Sequence, residues 1–379
     1  MISFVWSPRE RLPAGTGGSE NYTIGQVREL NRRGVEARVV TVGLGTADGR
    51  EEFDDVPFHA VATLDDLGRL DDTLVFVSEA PPVATRHPAY QILHVPPPLR
   101  PEVQRTVAAG TRDRTLIATS RFAAALWADF LDVSLETVHV VHPFAEPVFA
   151  DQPRPESRAG HTRVLYAGRL TPEKGIYTLL SMLHSDLFEA GDHSVSFTVT
   201  TAGSDKPQGA IIERMLRTHP GIEVVPARRT PAGMSALMAE HDVVVMPSNS
   251  QYWHETFGIV SIEAQHAGCR VVASDDGGLP ETDCGALTLV APDDAEALAQ
   301  GILAAHLMGA VPGATRSRAG ADFTVAASVD DLLAVLRAPR ALTPWAVIQE
   351  LETLVRLPPV SPPHERPAAG LVDGQGGQR

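Results

Sequence analysis

The sequence predicts an α/β protein of two doubly wound parallel-sheet domains facing a central cleft, and three observations predict it. Short β-branched runs alternate with amphipathic stretches along most of the chain, the pattern of parallel strands joined by crossover helices. The alternation breaks once, at a polar, Pro-rich stretch from Phe149 to His161, and then restarts. A length of 379 residues suits two such domains with some chain left over.

The first domain, residues 1–150, opens with a strand over Ser3–Trp6, a glycine-bearing loop and a helix over Asn21–Arg33. Ile24, Val27 and Leu30 fall on one face of that helix, and Gly34 stands where a C-terminal cap belongs. A strand over Val35–Val42 completes the unit. Further apolar runs at Leu74–Val77, Tyr90–Val95, Leu116–Ala118 and Val138–Val141 read as strands. The linker is 151–162. The second domain, 163–335, alternates strand and helix from Arg163–Ala167 through Ile176–Leu183, Val195–Thr200, Ala210–Arg217, Ile222–Val225, Met234–Glu240 and Val243–Met246. Ile259–Ala267, Arg270–Ala273 and Ala295–Leu307 extend it. An amphipathic helix is expected over Thr343–Val355, and residues 357–379 lack the apolar content to pack.

Composition narrows the function. Hydrophobic residues make up 43% and charged residues 21%, enough to build cores in both domains. No run of 18 apolar residues occurs, so no membrane span is expected, and the N-terminus reads as a first strand rather than a leader. Cys269 and Cys284 are the only cysteines, which excludes a disulfide framework or a four-thiolate zinc site, and a reducing cytoplasm is expected. A net charge of −15 argues against a nucleic-acid backbone or an anionic membrane as partner. Among 32 basic residues only Lys174 and Lys206 are lysines, so each is conspicuous.

Four loops could carry chemistry. Residues 43–49, Gly-Leu-Gly-Thr-Ala-Asp-Gly, follow a strand but lead into acidic sequence without a helical stripe, so they read as a loop and not a dinucleotide fingerprint. The loop Gly15–Glu20 does precede a helix; it is either a flexible turn or a place where backbone amides approach an anion. In 167–175, Ala-Gly-Arg-Leu-Thr-Pro-Glu-Lys-Gly, Arg169 follows a strand and Lys174 precedes a helix. Two cations there suit a diphosphate, one as a planar fork and one as a point charge, against the alternative of a solvated pair. Finally, Val243–Ser248 ends a strand, and Glu255, Thr256, Phe257, Gly258, Ile259 and Glu263 span the next loop and helix start. A free helix N-terminus favours an anion, and flanking carboxylates can accept from sugar hydroxyls; a capping carboxylate and a surface glutamate are the plain alternative.

Taken together and in order, the GGSE loop (17–20), AGRLTPEKG (167–175), ETFGIVSIEAQHAGCRVVAS (255–274) and GGLPE (277–281) resemble the retaining glycosyltransferases of GT-B fold, glycosyltransferase family 4. The resemblance runs over about residues 1–335 and is densest from 163 to 285. It implies transfer of a sugar from a nucleotide diphosphate donor with retained configuration, and neither a metal nor another cofactor is required. By motif, Arg169 and Lys174 would hold the diphosphate, and Glu255 would meet the donor sugar beside the amides of Phe257, Gly258 and Ile259. Glu263 would bind the ribose diol, and Gly17 and Gly18 would approach the phosphates from the other domain. His94 matches the position of a histidine near the transferred sugar; it also reads as a hydrogen-bonded core residue. Ser120 and Arg121, with Ser19 and Glu20, match acceptor-side or structural positions, and the helix Thr343–Val355 would pack back on the first domain.

Two departures stand out. Val141-His142-Pro143-Phe144 replaces an Asn-Gly turn at the hinge, and Pro226-Ala227-Arg228-Arg229 replaces a glycine in the base loop. The expected donor is a UDP-sugar carrying a hexose or aminohexose, with GDP-mannose next. Residues 1–150 hold 14 arginines, no lysine and 20 carboxylates, which favours a soluble acceptor, with an aminocyclitol of natural-product metabolism as the working choice. The alternatives are a mannosyltransferase acting on a polysaccharide or lipid, a phosphorylase or epimerase of the same fold, and a sensor that binds sugar nucleotides without turning them over.

Overall fold

The computed structural model describes residues 1–12, 17–155, 160–185, 195–251 and 253–338. The expected helix Thr343–Val355 and tail 357–379 lie outside them.

The first sheet has seven strands: β1 (Ile2–Val5), β2 (Ala37–Val42), β3 (Phe58–Val61), β4 (Thr73–Phe76), β5 (Ala89–Leu93), β6 (Arg114–Ala118) and β7 (Val138–Val140). They lie in the order β3-β2-β1-β4-β5-β6-β7, and every pairing is parallel. Helices α1 (Gly18–Arg32), α2 (Leu64–Leu67), α3 (Pro101–Thr111), α4 (Arg121–Leu131) and α5 (Pro147–Asp151) connect or follow them. The second sheet contains β8 (Thr162–Tyr166), β9 (Val195–Thr200), β10 (Ile222–Val225), β11 (Val243–Met246), β12 (Arg270–Ser274) and β13 (Leu287–Val290). Its order is β10-β9-β8-β11-β12-β13, again parallel throughout. With it come α6 (Ile176–Leu183), α7 (Pro207–Thr218), α8 (Pro231–Ala239), α9 (Ile259–His266), α10 (Ala295–Met308), α11 (Gly313–Ala319) and α12 (Val325–Arg337).

Central strands such as β1 and β5 are buried along their whole length, as parallel strands covered on both faces must be. Local chemistry sets the helix starts. The Ser120 hydroxyl accepts from the Ala123 amide to cap α4, Thr230 caps α8, Asp294 caps α10 and Thr324 caps α12. In α1, Val27 and Leu30 are completely buried against the core that also holds Phe4, Val39 and Ile92. Strand order reverses between β1 and β4 and again between β8 and β11, and such switch points open a crevice at the carboxyl ends of strands.

Residues 43–49 are a loop, as expected, and the edge strand β3 that follows them, for which the sequence pattern offers no reading, is only half-buried and carries little apolar pattern. One expectation is corrected. Residues 325–335, assigned to the second domain, belong to α12, which packs on the first. Val329, Leu332, Leu333 and Val335 sit in the same core as Tyr22 and Val27. Gln26 donates to the Ser328 hydroxyl at 3.1 Å, and Arg33 pairs with Asp330 at 2.5 Å. Within the described residues the chain therefore crosses between the domains and returns. The two crossings meet side by side: Ala145 and Thr324 form an isolated parallel bridge, and the Ala145 amide donates to the Phe323 carbonyl at 3.0 Å.

Candidate functional site

Three segments meet in the crevice: the start of α1, with Gly17 as its N-cap, the loop after β8 and the loop after β11. Gly18 faces the second domain so closely that a Cβ there would lie 3.4 Å from the Ile259 methyl at the start of α9. Two helix N-termini thus converge, and both favour negative charge. Among the described residues, the amides of Phe257, Gly258 and Ile259 have no hydrogen-bond partner. Gly258 holds φ +96°, and a Cβ there would press on Leu279 at 2.5 Å, so this sharp entry into α9 needs glycine.

The second loop follows β8 and carries both cations. It is fixed from beneath by a residue the motifs did not reveal. The buried Tyr166 hydroxyl donates to the carbonyls of Arg169 (2.9 Å) and Lys174 (3.1 Å). Leu170 N bonds Ala202 O at 2.7 Å, and Asn249 N bonds Glu173 O at 3.0 Å. Gly175 abuts the Pro247 carbonyl, leaving no space for a side chain. Lys174 reaches across to Glu255 and its Nζ donates to Oε2, while the Ser248 hydroxyl lies 3.5 Å from the same oxygen. Arg169 is mostly exposed, 3.7 Å from Glu173. The structure thus brings together Lys174, Glu255 and the α9 N-terminus, with Arg169 at the edge.

Glu20, in the first turn of α1, has its carboxyl pushed up by burial, opposed by its own amide and the Arg169 charge. Ser19 sits beside it, its carbonyl accepting from the Thr23 hydroxyl at 2.8 Å. Glu263 lies in the second turn of α9. Burial pushes its carboxyl up to about 8, with the nearby Glu146 carboxylate adding to the shift. Its carboxyl makes no hydrogen bond among the described residues.

His94 follows β5. Its Nε2 is enclosed without a hydrogen-bond partner, its ring stands edge-on to Tyr22 at 4.9 Å between centroids, and burial lowers it to about 3, so it is neutral at physiological pH. It borders a cavity of about 1000 Å³ at the carboxyl edge of the first sheet, with Trp253 of the second domain on the rim.

The remaining predicted residues join the domains. The Thr256 hydroxyl donates to the His94 carbonyl at 2.7 Å, and the Ser120 hydroxyl donates to the Thr256 carbonyl at 2.5 Å. The Arg121 and Phe122 amides, at the open start of α4, donate to the two oxygens of Glu281 at 2.9 and 2.8 Å. Glu281 is the last residue of the GGLPE motif, whose role the sequence left open. Burial opposes its ionisation, yet hydrogen bonds from His142 and the two amides keep its carboxyl below the ordinary range. His142, flagged as a hinge departure, lies 3.5 Å from Glu281 and packs against Phe257 and Phe323. Among the described residues no group of three or more His, Cys, Asp or Glu is placed to hold a metal, and no helix is long and apolar enough to cross a membrane.

Known glycosyltransferases share part of this sequence and its fold. Residues 161–306 match the family model for glycosyl transferases group 1. A D-inositol 3-phosphate glycosyltransferase of Streptomyces scabiei is 31% identical over 205 residues, covering 49% of this chain and 44% of the relative. A glycogen synthase of Mycobacterium tuberculosis is 32% identical over 152 residues, 38% of this chain and 34% of the relative. The chain thus spans less than half the length of these curated relatives. Among solved structures, a glycosyltransferase of Rickettsia africae superposes with a TM-score of 0.70 at 16% identity, over 89% of this chain and 99% of the other. Anabaena HepE in complex with UDP-glucose gives 0.67 at 18% identity over the same shares.

Proposed function

We propose that the protein is a retaining glycosyltransferase, from the premise that residues 161–306 match the model for glycosyl transferases group 1 within a fold of two parallel-sheet domains. It moves a hexosyl or aminohexosyl group from a nucleotide diphosphate sugar to a hydroxyl of a soluble small molecule in the cytoplasm. The observation that carries this reading is the convergence of Lys174, Glu255 and two helix N-termini on one crevice, with Arg169 at its edge. A UDP-sugar is the donor we favour, in line with the UDP-glucose held by the similarly folded HepE.

The chemistry follows from the placement of charge. Lys174, Arg169 and the amides of Phe257, Gly258 and Ile259 offset the charge that grows on the departing diphosphate, the preorganised electrostatic contribution that dominates many catalysed reactions. Glu255 accepts from donor-sugar hydroxyls, and Glu263 accepts from the ribose diol. As the bond from the sugar C1 to the β-phosphate oxygen breaks, the acceptor hydroxyl bonds to C1 from the same face. Its proton passes to the departing phosphate oxygen, so atoms and charge balance without an enzymic nucleophile. Neutral His94 is assigned to orienting the acceptor or sugar by hydrogen bonding, not to serving as a cation.

Calorimetric titration of the protein with UDP, GDP, ADP and dTDP tests the reading, repeated on Lys174→Ala. Selective binding of one nucleotide, weakened about tenfold or more in the variant (about 1.4 kcal/mol), is the expected result. Absence of binding to all four sinks it.

A further inference from the structure

The cavity beside His94 is unlike a sugar site. It lies at the carboxyl ends of the first-sheet strands, holds about 1000 Å³, and is walled chiefly by apolar groups. That volume is at the upper end of the range for small-molecule pockets, far more than a lone sugar ring fills. Three of its wall residues are large hydrophobics left open to solvent: Val95 (46%), Val103 (39%) and Trp253 (39%). Large apolar side chains exposed inside a concave site mark a surface that a ligand covers. Much of the wall is rigid. Pro81, Pro82 and Pro96 have fixed rings, and the Trp127 indole is locked by its Nε1 donating to the Val95 carbonyl at 2.8 Å. Flat, immobile faces suit a fused or aromatic ring system, which loses little freedom on binding, better than a flexible chain.

The charge on the wall restricts the occupant further. Asp65, Glu79 and Glu102 face the cavity against Arg9 as the guanidinium on the lining. An anionic group would meet net repulsion, whereas a hydroxyl or amine finds acceptors. The aminocyclitol expected from the acidity of the first domain accounts for these carboxylates but leaves the apolar wall uncovered. One end of the cavity reaches His94, whose carbonyl is tied to Thr256 and hence to the donor-side loop. A molecule filling the cavity therefore presents that end to the sugar.

We propose that this cavity is an acceptor site for a compact molecule with an apolar ring body and a hydroxyl at the His94 end, uncharged or cationic and never phosphorylated. The assignment rests on the glycosyltransferase reading above and deepens it by naming the acceptor class.

The test uses the full chain saturated with UDP, with 4-methylumbelliferone as an aromatic hydroxyl probe, and myo-inositol, 2-deoxystreptamine and myo-inositol 1-phosphate as polar ones. Binding of each is read by calorimetry and by quenching of tryptophan emission. The umbelliferone is expected to bind at least tenfold more tightly than any polar probe. Val103→Asp, on the open wall, is expected to weaken it at least tenfold, and the UDP titration on the same sample reports whether the fold is intact. UDP binding combined with tighter binding of a polar probe, or with umbelliferone binding unaffected by Val103→Asp, overturns the acceptor class and leaves the transferase reading standing. Failure to bind UDP overturns that reading, and the acceptor site falls with it.

Discussion

The hydroxyl of Thr256 donates to the main-chain carbonyl of His94 across 162 positions of sequence, at 2.7 Å. One bond thereby couples the loop that leads into α9 to the end of β5, the strand that borders the acceptor cavity. Thr256→Val keeps the shape and deletes the donor, leaving a carbonyl without its partner, a loss of about 1–3 kcal/mol when such a group is buried. The expected outcome is a lower melting temperature and a reduced kcat, with the affinity for UDP within about twofold of the parent. A fall in UDP affinity with kcat unchanged would show that Thr256 serves the donor instead.

Glu281 ties the same two domains from the other side by accepting from the first two amides of α4. Glu281→Ala is expected to destabilise the fold by about 1–2 kcal/mol, the scale of a lost helix cap, and to raise hydrolysis of the donor relative to transfer as the crevice closes less firmly. Because its carboxyl titrates below the ordinary value of 4.5 in the folded chain, the stability it confers is present above that value and is lost as pH falls through the folded one. Melting temperatures of the parent and Glu281→Gln should therefore draw together on acidification below pH 4.5.

Glu263 behaves in the opposite sense. With its carboxyl raised from 4.5 to about 8, the fold favours the protonated form, so the stability linked to that proton is present below pH 4.5 and is lost progressively as pH rises to about 8. Glu263→Gln mimics the protonated state. Its melting temperature minus that of the parent should be near zero at pH 4 and grow to a plateau above pH 8. A difference that stays flat with pH would refute the buried, unpartnered carboxyl.

The Tyr166 hydroxyl bonds both carbonyls of the cation-bearing loop. Tyr166→Phe retains the packing and removes those two bonds. Nucleotide affinity is expected to fall about threefold to tenfold by calorimetry, with a smaller loss than in Lys174→Ala.

Much of this arrangement is legible in the sequence where burial is symmetric and the signal local. The helix Ile176–Leu183 and the strands Val195–Thr200 and Val243–Met246 begin and end where their apolar runs do. The edge strands Phe58–Val61 and Leu287–Val290 are harder, being mostly half-exposed and without a continuous apolar run, whereas the half-exposed edge strand Ile222–Val225 is legible from its β-branched residues Ile222, Val224 and Val225. Lys174 and Glu255 were each identifiable by motif, but their pairing joins residues 81 apart and is a property of the folded sheet. In the sequence Tyr166 reads as one more strand residue, because its role resides in a hydroxyl bonded to carbonyls. The return of Val325–Arg337 to the first domain had no local mark, since an amphipathic helix carries the same stripe whichever core receives it.

The side-by-side crossings at Ala145 and Thr324 are bonded to one another. A single tether leaves one half free to twist on the other, whereas two joined tethers must turn together. That restriction favours the arrangement in which Gly18 faces Ile259. Reproducible alignment of two half-sites is thus built into the connections rather than into the surfaces that meet.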